Sequence, residues 1–373
     1  MKRKTGIFIL CAVLALCFTV YSSAQDGTDR MLASSGAQEL FEALPDETAE
    51  LFNAAGIDEL SFDSIFSVSG KDVLNIFRRL ITGKIEAPTR SLVRLLAVII
   101  LLSVFECFLP EDDSVKFIAE TAGTLFCVIS VISPLTAAIT SAAASVTVSS
   151  AFMSALIPVL GAVVAAAGNP ALALSFQSLA FYGAQIISSV SENCIMPIVG
   201  AVLALDITGT MMPDFHLSGL TELIKKTLTA AMTFAATLFV AFLSIKDALA
   251  NAADTVASRG IKLAISSAVP VVGGALSEAY SGVIGSLVLA RSTAGIFGIA
   301  AIALICLPSC AQLVFWIFAL RLGAAAGDLF GQQSTSKLLR AASSAVTLLN
   351  VVLIFNAVLF IISTALILMI KAV

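Results

Sequence analysis

Charge is what this 373-residue sequence lacks most: Asp, Glu, Lys and Arg make up 12% of it, while 58% of its residues are apolar. A soluble domain carries about a quarter charged residues, so an ordinary cytosolic enzyme is excluded and a membrane protein is expected. Histidine is nearly missing too. His216 stands alone, and no HExxH, GxSxG or phosphate-loop string occurs; Gly83-Lys84 lacks both the upstream glycine and the following hydroxyl residue that such a loop needs. Asp214 and His216 share a polar stretch without a nucleophile, so neither catalysis nor a cofactor nor a metal is expected. The net charge of −4 and the absence of a long like-charge run exclude nucleic acid as a partner.

Cysteine is sparse and unevenly placed. Of the seven, Cys11 and Cys17 lie near the N terminus, whereas Cys107, Cys127, Cys194, Cys306 and Cys310 lie in apolar stretches. The polar N-terminal part has none, which excludes a disulfide framework there. Cys306 and Cys310 share a helix face, but with no histidine or carboxylate beside them they read as small packing residues.

The charge that is present collects early in the chain. Residues 25–90 hold 18 of the 46 charged side chains, 12 acidic and six basic, and the 283 residues from 91 to 373 hold 25. Ahead of this segment, Lys2, Arg3 and Lys4 precede an apolar run from Ile7 to Val20 and the small residues Ser22, Ser23 and Ala24. That is the layout of a secretory signal peptide over residues 1–24, with an uncleaved anchor as the alternative. Either carries residue 25 onward to the outer face of the membrane.

Residues 37–66 predict short amphipathic helices with acidic faces, one of them capped by Asp46, packed through Leu51 and Phe52 and ended by Gly56. So short a segment buries little core alone, so it is expected to dock on a partner or on the membrane body. A further helix, opened by Ser69 or Gly70, sets Val73, Leu74, Phe77, Leu80 and Ile81 against Lys71, Arg78, Arg79 and Lys84. It reads equally as an interfacial helix on anionic headgroups and as a helix packed on a neighbour.

A span needs roughly 20 apolar residues, and 91–109, 117–140, 151–167, 171–190, 228–243, 293–320 and 345–370 meet or approach that length. Segments 194–205 and 263–290 are too short, or too rich in glycine and serine, and read as half-helices. The expected fold is all-α: a polytopic helical membrane domain over 91–373, with about seven spans plus broken or re-entrant helices. Orientation pulls two ways. The signal places Lys71 to Arg94 outside, whereas the positive-inside rule would keep them in the cytoplasm. The signal acts first, which leaves Lys225, Lys226 and the 321–340 loop inside but Arg259, Lys262 and Arg291 outside.

Three segments repeat a proline-glycine pattern: Pro158 with Gly161, Pro197 with Gly200, and Pro270 with Gly273. Proline removes a helix hydrogen bond and clashes with the preceding turn, so each pair is a candidate helix break. Paired broken helices point to a substrate site near the midplane, although apolar sequence also yields such matches by chance. Side chains that are costly inside a bilayer mark further candidates: Gln177, Gln185, Glu192, Asn193, Glu278, Asn350 and Asn356. They line a polar path or hold helices together.

Taken in order, the signal peptide, acidic outer segment, amphipathic helix and proline-interrupted body resemble the stage III sporulation protein AE family. The residues that carry the resemblance are Ala155-Leu-Ile-Pro158, Glu192-Asn-Cys-Ile-Met-Pro197 and above all 254–298, where Asp254-Thr-Val-Ala-Ser-Arg-Gly-Ile-Lys262 leads to Val269-Pro-Val-Val-Gly273 and then Ser286-Leu-Val-Leu-Ala-Arg-Ser-Thr-Ala-Gly295. The resemblance runs from about residue 90 to the C terminus. It implies a multi-pass mother-cell membrane protein of the channel-like secretion apparatus joining mother cell and forespore. Its implied partners are the other membrane and ring-forming subunits, a cytoplasmic ATPase and the lipid bilayer, and its N-terminal segment would face the space between the two membranes. No catalytic residues are implied. A secondary transporter using proline-broken helices is the alternative.

Overall fold

The computed structural model describes residues 37–54, 56–57, 64, 70–106, 108, 113–166, 170–211, 217–239, 241 and 273–368. Residues 1–24, the 254–272 part of the resembling block, Pro270, Asp214 and His216 lie outside them. All regular structure among the described residues is helical: α1 (Ala37–Glu42), α2 (Asp46–Ala54), α3 (Gly70–Glu106), α4 (Asp113–Ala166), α5 (Pro170–Val190), a π-helical turn (Ser191–Ile195), α6 (Met196–Met211), α7 (218–239), α8 (Gly273–Leu329) and α9 (Gln333–Leu368).

The helices are longer than the sequence suggests. Residues 141–150, Ser-Ala-Ala-Ala-Ser-Val-Thr-Val-Ser-Ser, contain no glycine, proline or charge to end a helix, and in an apolar setting the next helical turn satisfies each backbone N–H and C=O. The expected spans 117–140 and 151–167 therefore fuse into the 54-residue α4. Likewise α5, the π turn and α6 run on from 170 to 211, absorbing the expected half-helix 194–205. The described part of 263–290 forms the start of the 57-residue α8.

Five segments among the described residues are long and apolar enough to cross a membrane: Gly83–Phe105, Thr121–Ala166, Gln177–Thr210, Leu287–Leu329 and Gln333–Ala365. The described residues thus hold five candidate spans, against about seven expected of the whole chain. The expected span at 228–243 falls in α7 and is not among the five.

Packing fixes the helices in a constant register. Antiparallel α4 and α8 meet at Ser145–Ser309 (2.6 Å), Ser149–Cys306 (3.1 Å) and Leu156–Gly298. Parallel α4 and α9 keep one offset of 211 residues from Thr124–Thr335 to Met153–Thr364. Between antiparallel α8 and α9, Gly323 faces Leu339, Gly327 faces Ser336 and Gly295 faces Leu368. The turn joining them is compact. Gly331 takes φ +78°, and the Gln332 N–H returns to the Gly327 carbonyl at 2.8 Å, which closes the end of α8 as a glycine-based C-cap. Trp316, Leu320, Leu349 and Leu353 are fully buried in this hairpin.

α3 is one continuous helix through a buried Pro88, so its basic residues do not form a single cluster. Lys84 lies 3.7 Å from Glu47 of α2, whereas Leu95, about 16 Å further along the axis, packs against Gly323 near the far end of α8.

The N-terminal helices dock on the membrane body, one of the two expected outcomes. α2 begins at Asp46 and ends in a second glycine C-cap, with Gly56 at φ +79° and the Ile57 N–H on the Phe52 carbonyl at 3.0 Å. Pro45 rather than Asp46 occupies the cap position, since its carbonyl accepts the N–H groups of Thr48 and Ala49. Asp46 and Glu47 instead complement the positive end of the helix dipole. Phe41 stacks on Phe297 of α8 at 6.1 Å, Phe52 meets the same ring at 5.0 Å, and Phe152 of α4 completes the cluster at 6.3 Å. Replacing Phe297 with alanine removes the surface both helices share, at a cost of about 3–5 kcal/mol. Limited proteolysis in detergent is expected to cut between residues 37 and 57 in Phe297→Ala while the wild type is protected there and the rest of the helical core remains intact in both.

Candidate functional site

Three of the seven polar residues singled out in the sequence lie along one seam. Gln177, Gln185 and Glu192 are eight and seven residues apart, about two helical turns each, so they share the face of α5 and the π turn that meets α4. There Gln177 lies against Gly161, Gln185 Nε2 donates to Ser154 Oγ at 2.9 Å, and Thr147 Oγ1 donates to Glu192 Oε1. Ser188 Oγ donates to the same carboxylate oxygen at 3.4 Å. Gln185 and Thr147 are exposed and Glu192 half-buried, so the seam opens on the outside of the bundle.

Glu192 sits near the middle of the apolar segment Gln177–Thr210. It forms no ion pair with a described residue, whereas Glu86, Asp206 and Asp328, the other carboxylates in the five apolar segments, are paired with Arg90, Lys225 and Arg340. Both hydroxyl donors use Oε1. Oε2 accepts no hydrogen bond from a described residue.

At Pro158 and Pro197 the described chain stays helical, and Pro270 lies outside the described residues. The chain stays helical through Pro158, because pairs on both sides, Ser154–Gln185 and Gly161–Gln177, hold the two halves in register. Gly161 is a contact point for Gln177, and Gly200 is exposed with nothing near it. Pro197 does not end its helix either. A proline there has no N–H for the carbonyl four residues back, and the turn just before it widens to π geometry, with the Met196 N–H on the Ser191 carbonyl. Asn193 Nδ2 reinforces that turn by donating to the Ser189 carbonyl at 3.0 Å and to Ser189 Oγ at 3.3 Å. Its amide therefore holds its own helix. Gly273 is the first residue of α8; Glu278 lies in the same helix, and its side chain is outside the described set.

Asn350 and Asn356 are buried on α9. Asn356 Oδ1 accepts from Ser191 Oγ at 3.1 Å and its Nδ2 donates to the Val352 carbonyl at 2.9 Å, which ties the π turn to α9. Asn350 Oδ1 has no hydrogen-bond partner among the described residues.

Sequence reading missed the ion pair joining three helices. Lys225 Nζ of α7 donates to Asp206 Oδ2 of α6 at 2.7 Å and to Ser344 Oγ of α9 at 3.0 Å. The polarity of 206–226 reads as one loop, yet α6 continues to Met211 and α7 begins at 218. The informative signal was Pro213, which a helix does not readily continue through. Next to the pair, Lys226 bonds Glu222 at 2.8 Å and holds that exposed carboxyl below its ordinary pKa.

Removing one partner of a buried pair strands the other charge at about 3–5 kcal/mol, whereas a hydroxyl bond between membrane helices contributes about 0.6 kcal/mol. Lys225→Met is therefore expected to lower unfolding stability in detergent several-fold more than Ser145→Ala. Adding Asp206→Leu to Lys225→Met is expected to recover most of the loss; denaturant titration by circular dichroism reads all three.

The family model for stage III sporulation protein AE matches residues 57–371. Stage III sporulation protein AE of Bacillus subtilis (strain 168) is 26% identical over 222 residues, which covers 58% of this chain and 55% of that relative. The match thus spans about half the length of the curated relative. No solved structure matches. With the family model covering most of the chain, including every described membrane-length helix, this helical membrane protein belongs to the stage III sporulation protein AE family.

Proposed function

We propose that the chain is an integral membrane subunit of the channel or secretion complex that joins mother cell and forespore during endospore formation. The family match over 57–371 is the observation that carries this reading. The partners are other membrane subunits, ring-forming subunits and a cytoplasmic ATPase, which would supply energy that no motif in this sequence provides.

In the same reading, residues 1–24 are a signal peptide and 25–90 an extracytoplasmic and juxtamembrane part ahead of the polytopic domain 91–373. The α1–α2 pair faces the space between the two membranes, and the opposite end, with Arg321, Lys337, Arg340, Lys225 and Lys226, faces the mother-cell cytoplasm in line with the positive-inside rule. The transporter alternative drew on broken helices, and α4 and the α5–α6 run are unbroken.

Affinity purification of the tagged full chain from sporulating cells is expected to recover the ATPase and ring subunits. A chain that purifies alone and moves a solute in liposomes overturns the reading. For orientation, a membrane-impermeant thiol reagent is expected to label Ala43→Cys from outside intact cells and Lys337→Cys only after the membrane is opened.

A further inference from the structure

Two buried polar groups in the α8–α9 hairpin have no hydrogen-bond partner. Trp316 is fully buried and its indole N–H meets no acceptor; Asn350 is buried and its Oδ1 meets no donor. Both lie inside membrane-length segments, where bulk water does not reach them. The register that sets Gly323 against Leu339 and Arg321 Nε on Ser343 Oγ at 3.2 Å runs on to Gly295 against Leu368. It therefore puts Trp316 opposite Val346 and Thr347. Asn350 follows Ser336 and Ser343 at seven-residue steps, which returns it to the face of α9 that those two turn toward α8. Helical side chains lean toward the N terminus of their own helix. Because α8 and α9 are antiparallel, Trp316 leans toward the level of Asn350, and Asn350 leans back toward Trp316.

Buried donors and acceptors in folded proteins are satisfied with few exceptions, and the chemistry of this pair selects what satisfies it. An indole N–H only donates and an amide oxygen only accepts. A cation suits the oxygen alone, and an anion suits the N–H alone. A small neutral molecule that both accepts and donates suits the two together, and water is the smallest. We propose that the α8–α9 hairpin binds one ordered water that accepts from Trp316 Nε1 and donates to Asn350 Oδ1 and Thr347 Oγ1. Thr347 gives its own proton to the Ser343 carbonyl at 2.7 Å, which leaves its oxygen able to accept. A polar bridge at one level of an apolar helix pair holds the register, since sliding α9 by a turn separates its members. This site does not depend on the complex-subunit reading.

Trp316 is the one tryptophan in the sequence, so the intrinsic fluorescence of the full chain in nanodiscs reports this position alone. Wild-type emission is expected to resist quenching by acrylamide and to lie to the red of that of Asn350→Leu, which removes the water's main acceptor. Asn350→Ser is expected to keep the red emission, because the shorter side chain cannot reach the indole but leaves the water in place. Thr347→Val is expected to shift it to the blue by less than Asn350→Leu, and carries the test should Asn350→Leu fail to fold by circular dichroism. Wild-type emission as blue as that of the variants overturns the proposal. So does an Asn350→Ser shift equal to that of Asn350→Leu, which marks a direct indole–amide bond, and so does ready quenching of the wild type, which marks open access from bulk solvent.

Discussion

Helices in lipid gain nothing from burying leucine against leucine, because acyl chains are just as apolar; close packing and interhelical hydrogen bonds must hold them. The contact among α4, α8 and α9 is built to that constraint. Gly298 admits Leu156, Gly295 admits Leu368, Gly323 sits under Leu339, and Ser145 meets Ser309. A methyl group at Gly298 or Gly295 would collide with the leucine opposite. Once these contacts set the register, the other elements take their positions from it: α5 pairs with α4 at Ser154 and Thr147, the π turn reaches Asn356, and α1 and α2 close over Phe297.

Length and composition made the helical membrane character legible, and local caps made α2 legible, because Gly56 and Phe52 act through neighbours a few residues away. What ends a long helix was harder to read. Polarity alone does not end one, as 141–150 and 206–211 show: their Ser, Thr and Asp side chains bond back to carbonyls three or four residues earlier or reach another helix. Proline does not end one either where tertiary pairs straddle it, as at Pro158. Two turns among the described residues, after α2 and after α8, each carry a glycine at positive φ, Gly56 and Gly331.

The polar candidates were legible as a set but not by role. Spacing along one helix predicts that Gln177, Gln185 and Glu192 share a face; it cannot predict that Asn193, one residue on, turns back to brace the π turn, or that Asn356 is the residue Ser191 finds. Those roles depend on a one-residue offset in the ladder before Pro197. The same offset explains why the irregularity lies ahead of that proline and not at Gly200, which contacts nothing.

The placement of charge follows from the same economy of polar groups. Wherever an acidic side chain in the membrane-length helices could be met from within the chain, it is: Asp206 by Lys225, Asp328 by Arg340. Glu192 has two hydroxyl donors and no described cation. What holds that carboxylate is therefore geometry within the chain: the π turn sets Glu192 opposite Thr147, and the Ser191–Asn356 bond ties the same turn to α9, so the offset ahead of Pro197 fixes both contacts at once.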